Sequence, residues 1–171
     1  MNNNYQRVGV FVDTANVYHS VRSLYGAHVN LAKLLQLLVG DRQLVRAIAY
    51  TISADLKKEK DFYTALTKSG YEIKSKNLQI FPGGNKKGNW DVGMTVDAIR
   101  MAGKLDVAII ISGDGDFVDL VEYLQHSGLF VEIASFGSST SNLLREKSDL
   151  FIDLENHKDI LIKTGRLKQN S

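Results

Sequence analysis

The chain has 171 residues, of which 44% are hydrophobic, with a formal net charge of +2 and no cysteine. This composition suits one domain of ordinary size, and the lack of cysteine excludes disulfides, thiolate metal sites and cysteine nucleophiles. Every apolar run is shorter than the roughly 18 residues of a membrane span. The polar N-terminus leads into a strand without a signal-peptide pattern, so we expect a cytoplasmic protein with no membrane association.

The first predicted strand covers residues 7–12 and ends at Asp13, and a helix follows from Thr14 to about Tyr25. Asp13 therefore stands at the carboxyl end of a strand. Asn16, three residues later, returns toward the same point after one helical turn. In the alternative interpretation, Asp13 only caps the helix and Asn16 is a solvated polar residue.

The middle of the chain alternates predicted helices and strands. Asn30 caps a helix over 31–38, which is followed by a strand over 44–52, a helix over 54–69, an extended segment over 71–81 and a helix over about 92–102. The glycine-rich, basic loop 82–89 lacks the G-K-[ST] sequence of a phosphate-binding loop. It leads to Asp91, a third acid at a helix start. Asp97 lies about 240° further around that helix, so Asp91 is the favoured ligand and Asp97 either reaches in from the next turn or orients a neighbour.

Residues 107–111 form an uninterrupted apolar run, which predicts a strand buried on both faces of a parallel sheet. Two glycines and two carboxylates, Asp114 and Asp116, follow this strand and precede an amphipathic helix. Ligands of open α/β sheets bind beyond the carboxyl ends of the strands, so this position suits a divalent metal. The alternative interpretation is again a helix cap, since Asp also stabilises a helix N-terminus.

The last third of the chain predicts a strand over 129–134, a helix that Thr140 or Ser141 caps and that runs to about 147, and a strand over 150–154. A helix containing Ile160 and Leu161 and then a basic tail complete the chain. The predicted organisation is one domain over 1–155 with a C-terminal helix and tail over 156–171.

Strands that alternate with helices predict an α/β, Rossmann-like and mostly parallel sheet of order about 3-2-1-4-5, with helices on both faces. In this order strands one and four are neighbours, so Asp13 approaches Asp114 and Asp116. Carboxylates without histidine or cysteine partners select Mg²⁺ or Mn²⁺, and such a site predicts phosphodiester hydrolysis. Asn16 would orient water or phosphate, and Lys87 would neutralise substrate charge. Repulsion among the acids is expected to raise at least one carboxyl pKa in the metal-free protein.

Three segments together resemble the NYN domain, in its LabA-like branch of the PIN-like nuclease superfamily. They are F-V-D-x-x-N at 11–16, K-G-x-x-D-V at 87–92 and S-G-D-G-D-F at 112–117, and the resemblance covers residues 8–153. It implies a PIN fold and metal-dependent ribonuclease activity, with catalytic residues Asp13, Asn16, Asp91, Asp114 and Asp116. The four acids among them are the expected metal ligands, Lys87 and Ser112 are the expected substrate contacts, and Asp97 falls where the family often carries an acid. One departure is that Asn89 and Trp90 separate Gly88 from Asp91, where the usual family form is K-G-V-D.

The main alternative is a non-catalytic RNA-binding or regulatory module that keeps the acidic pocket. A phosphatase of the haloacid dehalogenase type would need an acid where Ala15 stands, and a nucleotide-binding domain would need a glycine-rich loop after strand one. Trp90 and Phe136 are candidates either for stacking on bases or for ordinary packing. The expected substrate is single-stranded RNA, and a homodimer is left open.

Overall fold

A parallel β-sheet with helices on both faces organises the computed structural model, which describes residues 4–53, 59–84 and 86–163. Ten strands occur in these residues: β1 (Arg7–Asp13), β2 (Ala27–Val29), β3 (Gln43–Ser53), β4 (Glu72–Asn77), β5 (Gln79–Ile80), β6 (Lys86–Lys87), β7 (Val107–Ile111), β8 (Phe130–Ser135), β9 (Leu150–Asp153) and β10 (Leu161–Lys163). The helices are α1 (Thr14–Tyr25), α2 (Leu31–Val39), α3 (Lys60–Lys68), α4 (Asp91–Met101), α5 (Val118–His126) and α6 (Asn142–Lys147), joined in places by single 3-10 turns.

The predicted α/β class is confirmed. The main sheet has the order β4-β3-β1-β7-β8-β9, and every pair in it is parallel. This differs from the predicted 3-2-1-4-5 because β9 adds a sixth strand at the edge, and because short strands outside the main sheet change the numbering. β2 with β10, and β5 with β6, form two small antiparallel ribbons. Since β1 lies between β3 and β7, the ends of these three strands meet at one edge.

The two faces of the sheet bury separate hydrophobic layers. Along β7, Val107, Ile109 and Ile111 belong to the layer beneath α1 and α2. The alternate residues Ala108 and Ile110 belong to the layer beneath α4 and α5. All five side chains are fully buried, as the uninterrupted apolar run predicts for a strand with helices on both sides. The strand is therefore a rigid base for the acidic turn that follows it.

The predicted C-terminal helix is wrong. Residues Lys158–Ile160 form one 3-10 turn, and β10 then pairs with β2. Ile160 is buried in the layer beneath α2, and its carbonyl accepts a hydrogen bond of 2.8 Å from the backbone N–H of Asn30. A short apolar pattern fits a helix or a strand equally well, and here pairing with a distant strand decides between them. The predicted tail over 164–171 and the start of the predicted helix over 54–58 lie outside the described residues.

Candidate metal and phosphodiester site

Asp13 ends β1 and lies at the N-terminus of α1, where it caps the helix; its role as a metal ligand stays a prediction. Its Oδ1 accepts a hydrogen bond of 3.1 Å from the backbone N–H of Asn16, so it is the N-cap of the helix. Asn16 in turn accepts a hydrogen bond of 2.9 Å on its Oδ1 from the backbone N–H of Gly113. Capping therefore fixes the Asp13 carboxylate. The Asn16 carboxamide links the first turn of α1 to the backbone that follows β7.

Ser112 is the buried link between the two acidic turns. Its hydroxyl donates to Asp13 Oδ2 at 3.2 Å and accepts from the backbone N–H of Asp114 at the same distance. The side chain is completely buried, so the expectation that Ser112 contacts substrate is wrong. Both sides of its hydroxyl are occupied by the ends of β1 and β7. Ser112 therefore positions Asp13 and Asp114.

The turn after β7 requires glycine for close packing. A Cβ at Gly113 would lie 2.9 Å from both the Ser139 carbonyl oxygen and the Ser135 hydroxyl. The loop after β8 is held there by a backbone hydrogen bond of 2.9 Å from Ser141 to the Gly113 carbonyl. Asp114 then caps the 3-10 turn by accepting a hydrogen bond of 3.0 Å from the N–H of Asp116. This packing fixes the backbone that carries both carboxylates.

Asp91 reaches the same place from the first residue of α4. The preceding Trp90 is anchored by a hydrogen bond of 2.7 Å from its indole N–H to the Thr51 carbonyl on β3. The side-chain amide of Asn89 donates to Asp91 Oδ2 at 2.7 Å. The beginning of the helix is thus tied to the sheet, and the Asp91 carboxylate has a defined position although it follows a loop.

The three carboxylates of Asp91, Asp114 and Asp116 form one cluster in which a ligand oxygen from each lies within 4.8 Å of the others. They line a cavity of about 290 Å³ whose wall also contains Asp13 and Asn16. Its remaining lining residues are Ala15, Tyr50, Ile52, Gly88, Asn89 and Trp90. Hard oxygen donors at this spacing fit a small divalent cation such as Mg²⁺ or Mn²⁺. The predicted convergence of three separate segments is therefore present, with Asp13 beside the three-carboxylate cluster.

The electrostatics of the cavity favour the binding of a cation. Burial raises the pKa of Asp13, and the charge of Asp114 adds to this rise, while hydrogen bonds from Asn16 and Ser112 oppose it. Burial also raises the pKa of Asp91, followed by repulsion from Asp114, Asp13 and Asp116. This agrees with the expected repulsion among the acids. A bound cation would remove this repulsion. Without a cation, the fold holds the carboxylates in an arrangement that costs free energy.

Asp97 is not part of the cavity wall. It is buried on the other side of α4, where its Oδ2 accepts hydrogen bonds from the Tyr50 hydroxyl at 2.9 Å and from Lys74 Nζ at 2.6 Å. Burial alone would raise the pKa of Asp97, but the hydrogen bonds from Lys74 and Tyr50 outweigh it and lower the pKa. Asp97 therefore orients Tyr50, which does line the cavity, and the suggestion that Asp97 reaches in as a ligand is wrong.

Three further expected contacts have different outcomes. Phe136 is buried in the core and packs against Tyr25 at a ring-centroid distance of 5.9 Å, so it cannot stack on a base. Trp90 lines the cavity, and Lys76 Nζ lies 4.1 Å from the centroid of its ring. Lys87 lies on β6, but its side chain is outside the described residues, so its role stays a prediction.

Sequence reasoning missed Tyr50 and Ile52 as cavity residues. Both lie at the carboxyl end of β3, where Tyr50 is the register partner of Asp13. The predicted sheet already placed the strand over 44–52 beside the first strand. Parallel neighbours end at the same edge of a sheet, so the carboxyl end of this strand could have been assigned to the cavity. The sequence at the end of β3 contains no motif that by itself indicates a ligand site.

The chain is similar to known proteins over most of its length. It is 31% identical to a protein of unknown function from Vibrio parahaemolyticus, whose crystal structure superposes with a TM-score of 0.85 over 95% of this chain and 99% of that one. It is 26% identical to the Low amplitude and bright protein LabA of Synechococcus elongatus over 94% of this chain and 90% of that protein. The family model of the NYN domain matches residues 7–155. The resemblance seen in the sequence is thus confirmed, and the chain belongs to the NYN domain family.

Proposed function

We propose that this protein is a metal-dependent ribonuclease that hydrolyses phosphodiester bonds of RNA in the cavity described above. The observation that carries the proposal is the cluster of Asp91, Asp114 and Asp116, whose carboxylates converge from two helix-starting turns at one edge of the sheet. Membership of the NYN domain family supports a nuclease-type activity on RNA. The acids are held by caps and packed turns, so the proposed site is preorganised.

The donor set fits Mg²⁺ or Mn²⁺ as the cofactor. Asp91, Asp114 and Asp116 would hold it, with Asp13 contributing directly or through water from the adjacent wall. Such an ion, when bound, lowers the pKa of water and stabilises negative charge at phosphorus. The described donors in this cluster are all oxygen, which argues against zinc.

The remaining cavity residues have distinct roles in this proposal. The Asp13 carboxylate is fixed by hydrogen bonds from Asn16 and Ser112, so it would hold the ion or one of its water ligands in a defined position. Asn16 uses its oxygen on Gly113, which directs its amide nitrogen to serve as a donor to a phosphate oxygen. Lys76, stacked on Trp90 at the rim, provides positive charge near the acids.

We expect single-stranded RNA as the substrate and the cytoplasm as the location, and the sequence leaves a homodimer open. The structure contributes one observation on membranes: in the part of the chain that it describes, no helix has the length and apolar character to cross a bilayer.

Incubation of single-stranded RNA with the purified protein and Mn²⁺ or Mg²⁺ tests the proposal. We expect cleavage that chelation by EDTA stops and that Asp114→Asn reduces by at least about a hundredfold, the usual scale for loss of charge stabilisation in a catalytic site. Asp119→Asn is the matched control, because Asp119 is an exposed acid in the first turn of α5 and does not line the cavity. A clean preparation that binds RNA and never cuts it would overturn the proposal in favour of a non-catalytic RNA-binding module.

A further inference from the structure

A second cavity opens directly beside the acidic one. It has a volume of about 580 Å³ and shares Ala15, Ile52 and Gly88 with the acidic cavity as common wall. Its other sides come from α1 and α3, two helices that lie far apart in the chain. This volume falls in the range of about 300–1,000 Å³ that is typical of sites for small organic groups. The two cavities are therefore adjacent, with these three residues between them.

Exposed aromatic rings line this second cavity. Tyr18 on α1 and Phe62 on α3 are 39% and 48% exposed, which is high for large apolar side chains. The His28 ring stacks on Tyr18 with centroids 6.0 Å apart and planes inclined by 27°. Tyr63, beside Phe62 at a centroid distance of 5.8 Å, completes the wall. Phe62, and the part of Tyr18 that His28 and Arg22 leave uncovered, lie on two sides of the groove and suit a flat aromatic ligand.

The polar groups around the groove suit a ligand that carries phosphate. Arg22 lies with its guanidinium 5.7 Å from the centroid of the Tyr18 ring and donates a hydrogen bond to the Tyr18 hydroxyl. His19 lies close enough to Asp13 for its charge to lower the pKa of that carboxyl. Among the described residues of the wall, the acid is Glu59, which accepts hydrogen bonds from Ser53 at 2.6 Å and from Tyr63 at 2.8 Å. Arg22 therefore places one positive charge beside Tyr18, at the edge of the groove.

We propose that this aromatic groove holds an unpaired base of the RNA, from a nucleotide next to the phosphodiester in the acidic cavity, by stacking on Phe62, with Tyr18 on the other side of the groove. The choice of RNA as occupant rests on the proposed function. The shared wall supports the assignment, because adjacent nucleotides are joined through the phosphate that the acidic cavity would hold. Stacking of this kind tolerates any base, since every base has a π-face. The groove therefore selects unpaired strands over duplexes, whose bases are stacked within the helix.

Binding of a fluorescein-labelled short oligouridine, followed by fluorescence anisotropy in the presence of Ca²⁺, tests the groove separately from catalysis. Phe62→Ala is expected to weaken binding about five- to hundredfold, the effect of losing one base–aromatic stack. Phe62→Trp should restore it, because a larger ring stacks at least as well. Tyr123→Ala is the matched control, since Tyr123 is 49% exposed on α5 and lies outside the groove. Gel analysis of the RNA after the titration confirms that it remains intact.

An abasic oligonucleotide of the same length separates base stacking from other effects of the substitution. The wild-type protein should bind abasic RNA at least as weakly as Phe62→Ala binds oligouridine, and Phe62→Ala should add no further loss on abasic RNA. Equal affinities of Phe62→Ala and Tyr123→Ala for oligouridine would overturn the proposal, as would an equal loss on intact and abasic RNA. If the wild-type protein fails to cleave RNA with Mn²⁺ but shows the expected binding pattern, the proposed activity is wrong and the groove assignment stands.

Discussion

Replacement of Asp114 by asparagine should stabilise the metal-free protein. The carboxylates of Asp114, Asp91 and Asp116 offer oxygens within 4.8 Å of one another, and two unit charges at that distance repel by about 1 kcal/mol in water and about 3 kcal/mol at an effective dielectric constant of 20. Asp116 is exposed and Asp114 half-buried, so screening by solvent favours the lower figure. Asparagine is an equally good helix cap, so the hydrogen bond to the Asp116 N–H is retained. We expect a net gain of about 1–2 kcal/mol.

Thermal unfolding followed by circular dichroism measures this effect. For a chain of this size, about 1–2 kcal/mol corresponds to a rise in Tm of roughly 2–8 °C. The measurement is made in EDTA at pH 7 and repeated with increasing Mn²⁺. Saturation at a hundred times the Kd should stabilise the wild-type protein by about 2.7 kcal/mol, whereas Asp114→Asn should lose most of this response. Asp119→Asn should behave as the wild-type protein does in both conditions.

A lower Tm for Asp114→Asn in EDTA would refute the reasoning, because it would show that the Asp114 charge stabilises the fold. A wild-type protein whose Tm does not respond to Mn²⁺ would refute it equally. Either result would mean that the three acids are structural caps with no excess of negative charge between them.

Four further substitutions test the same geometry. The folded-state pKa of Asp13 is raised, so its contribution to stability is fully present below the unfolded pKa near 4 and is lost as pH rises through the folded pKa. In EDTA, the stability of Asp13→Asn relative to the wild-type protein should therefore increase as pH rises across that window. Ser112→Ala should cost about 1–3 kcal/mol in chemical denaturation, because it removes a buried hydroxyl that serves two partners, and an unchanged midpoint would contradict this. Gly113→Ala should cost about 1–3 kcal/mol through its clash with a backbone carbonyl, while Gly103→Ala, where a Cβ meets nothing within 4 Å, is the control. Lys74→Met should destabilise the protein by about 1–3 kcal/mol by leaving Asp97 with one partner fewer, and equal stability to the wild-type protein would show that this ion pair is not needed.

The parts of the fold that sequence predicts well are those in which local pattern and tertiary environment agree. The apolar run of β7 has one physical solution, a strand covered on both faces. The acids at 13, 91 and 114 stand at helix starts, where capping and ligand binding require the same position. The doubly wound order places β1 beside β7, and the convergence of Asp13 with the acidic turn follows from that order.

Other features depend on contacts that no local pattern reveals. Asp97 is an acid on the same helix as Asp91, so its sequence position suggests a ligand. Its partners Lys74 and Tyr50, however, lie on neighbouring strands of the main sheet. Phe136 stands in a polar loop but is buried against the core. The aromatic groove combines Tyr18 of α1 with Phe62 of α3. In the sequence both are ordinary helix residues, and only the tertiary structure places them at one cavity.

The most direct test of the central claim is a titration of the metal-free protein with Mn²⁺, in which electron paramagnetic resonance of free Mn²⁺ reports binding. We expect saturable binding to the wild-type protein, retained in Asp119→Asn and lost or weakened at least tenfold in Asp91→Asn and Asp114→Asn. Mn²⁺ that remains free in the presence of the wild-type protein, or that binds all four proteins equally, would contradict it.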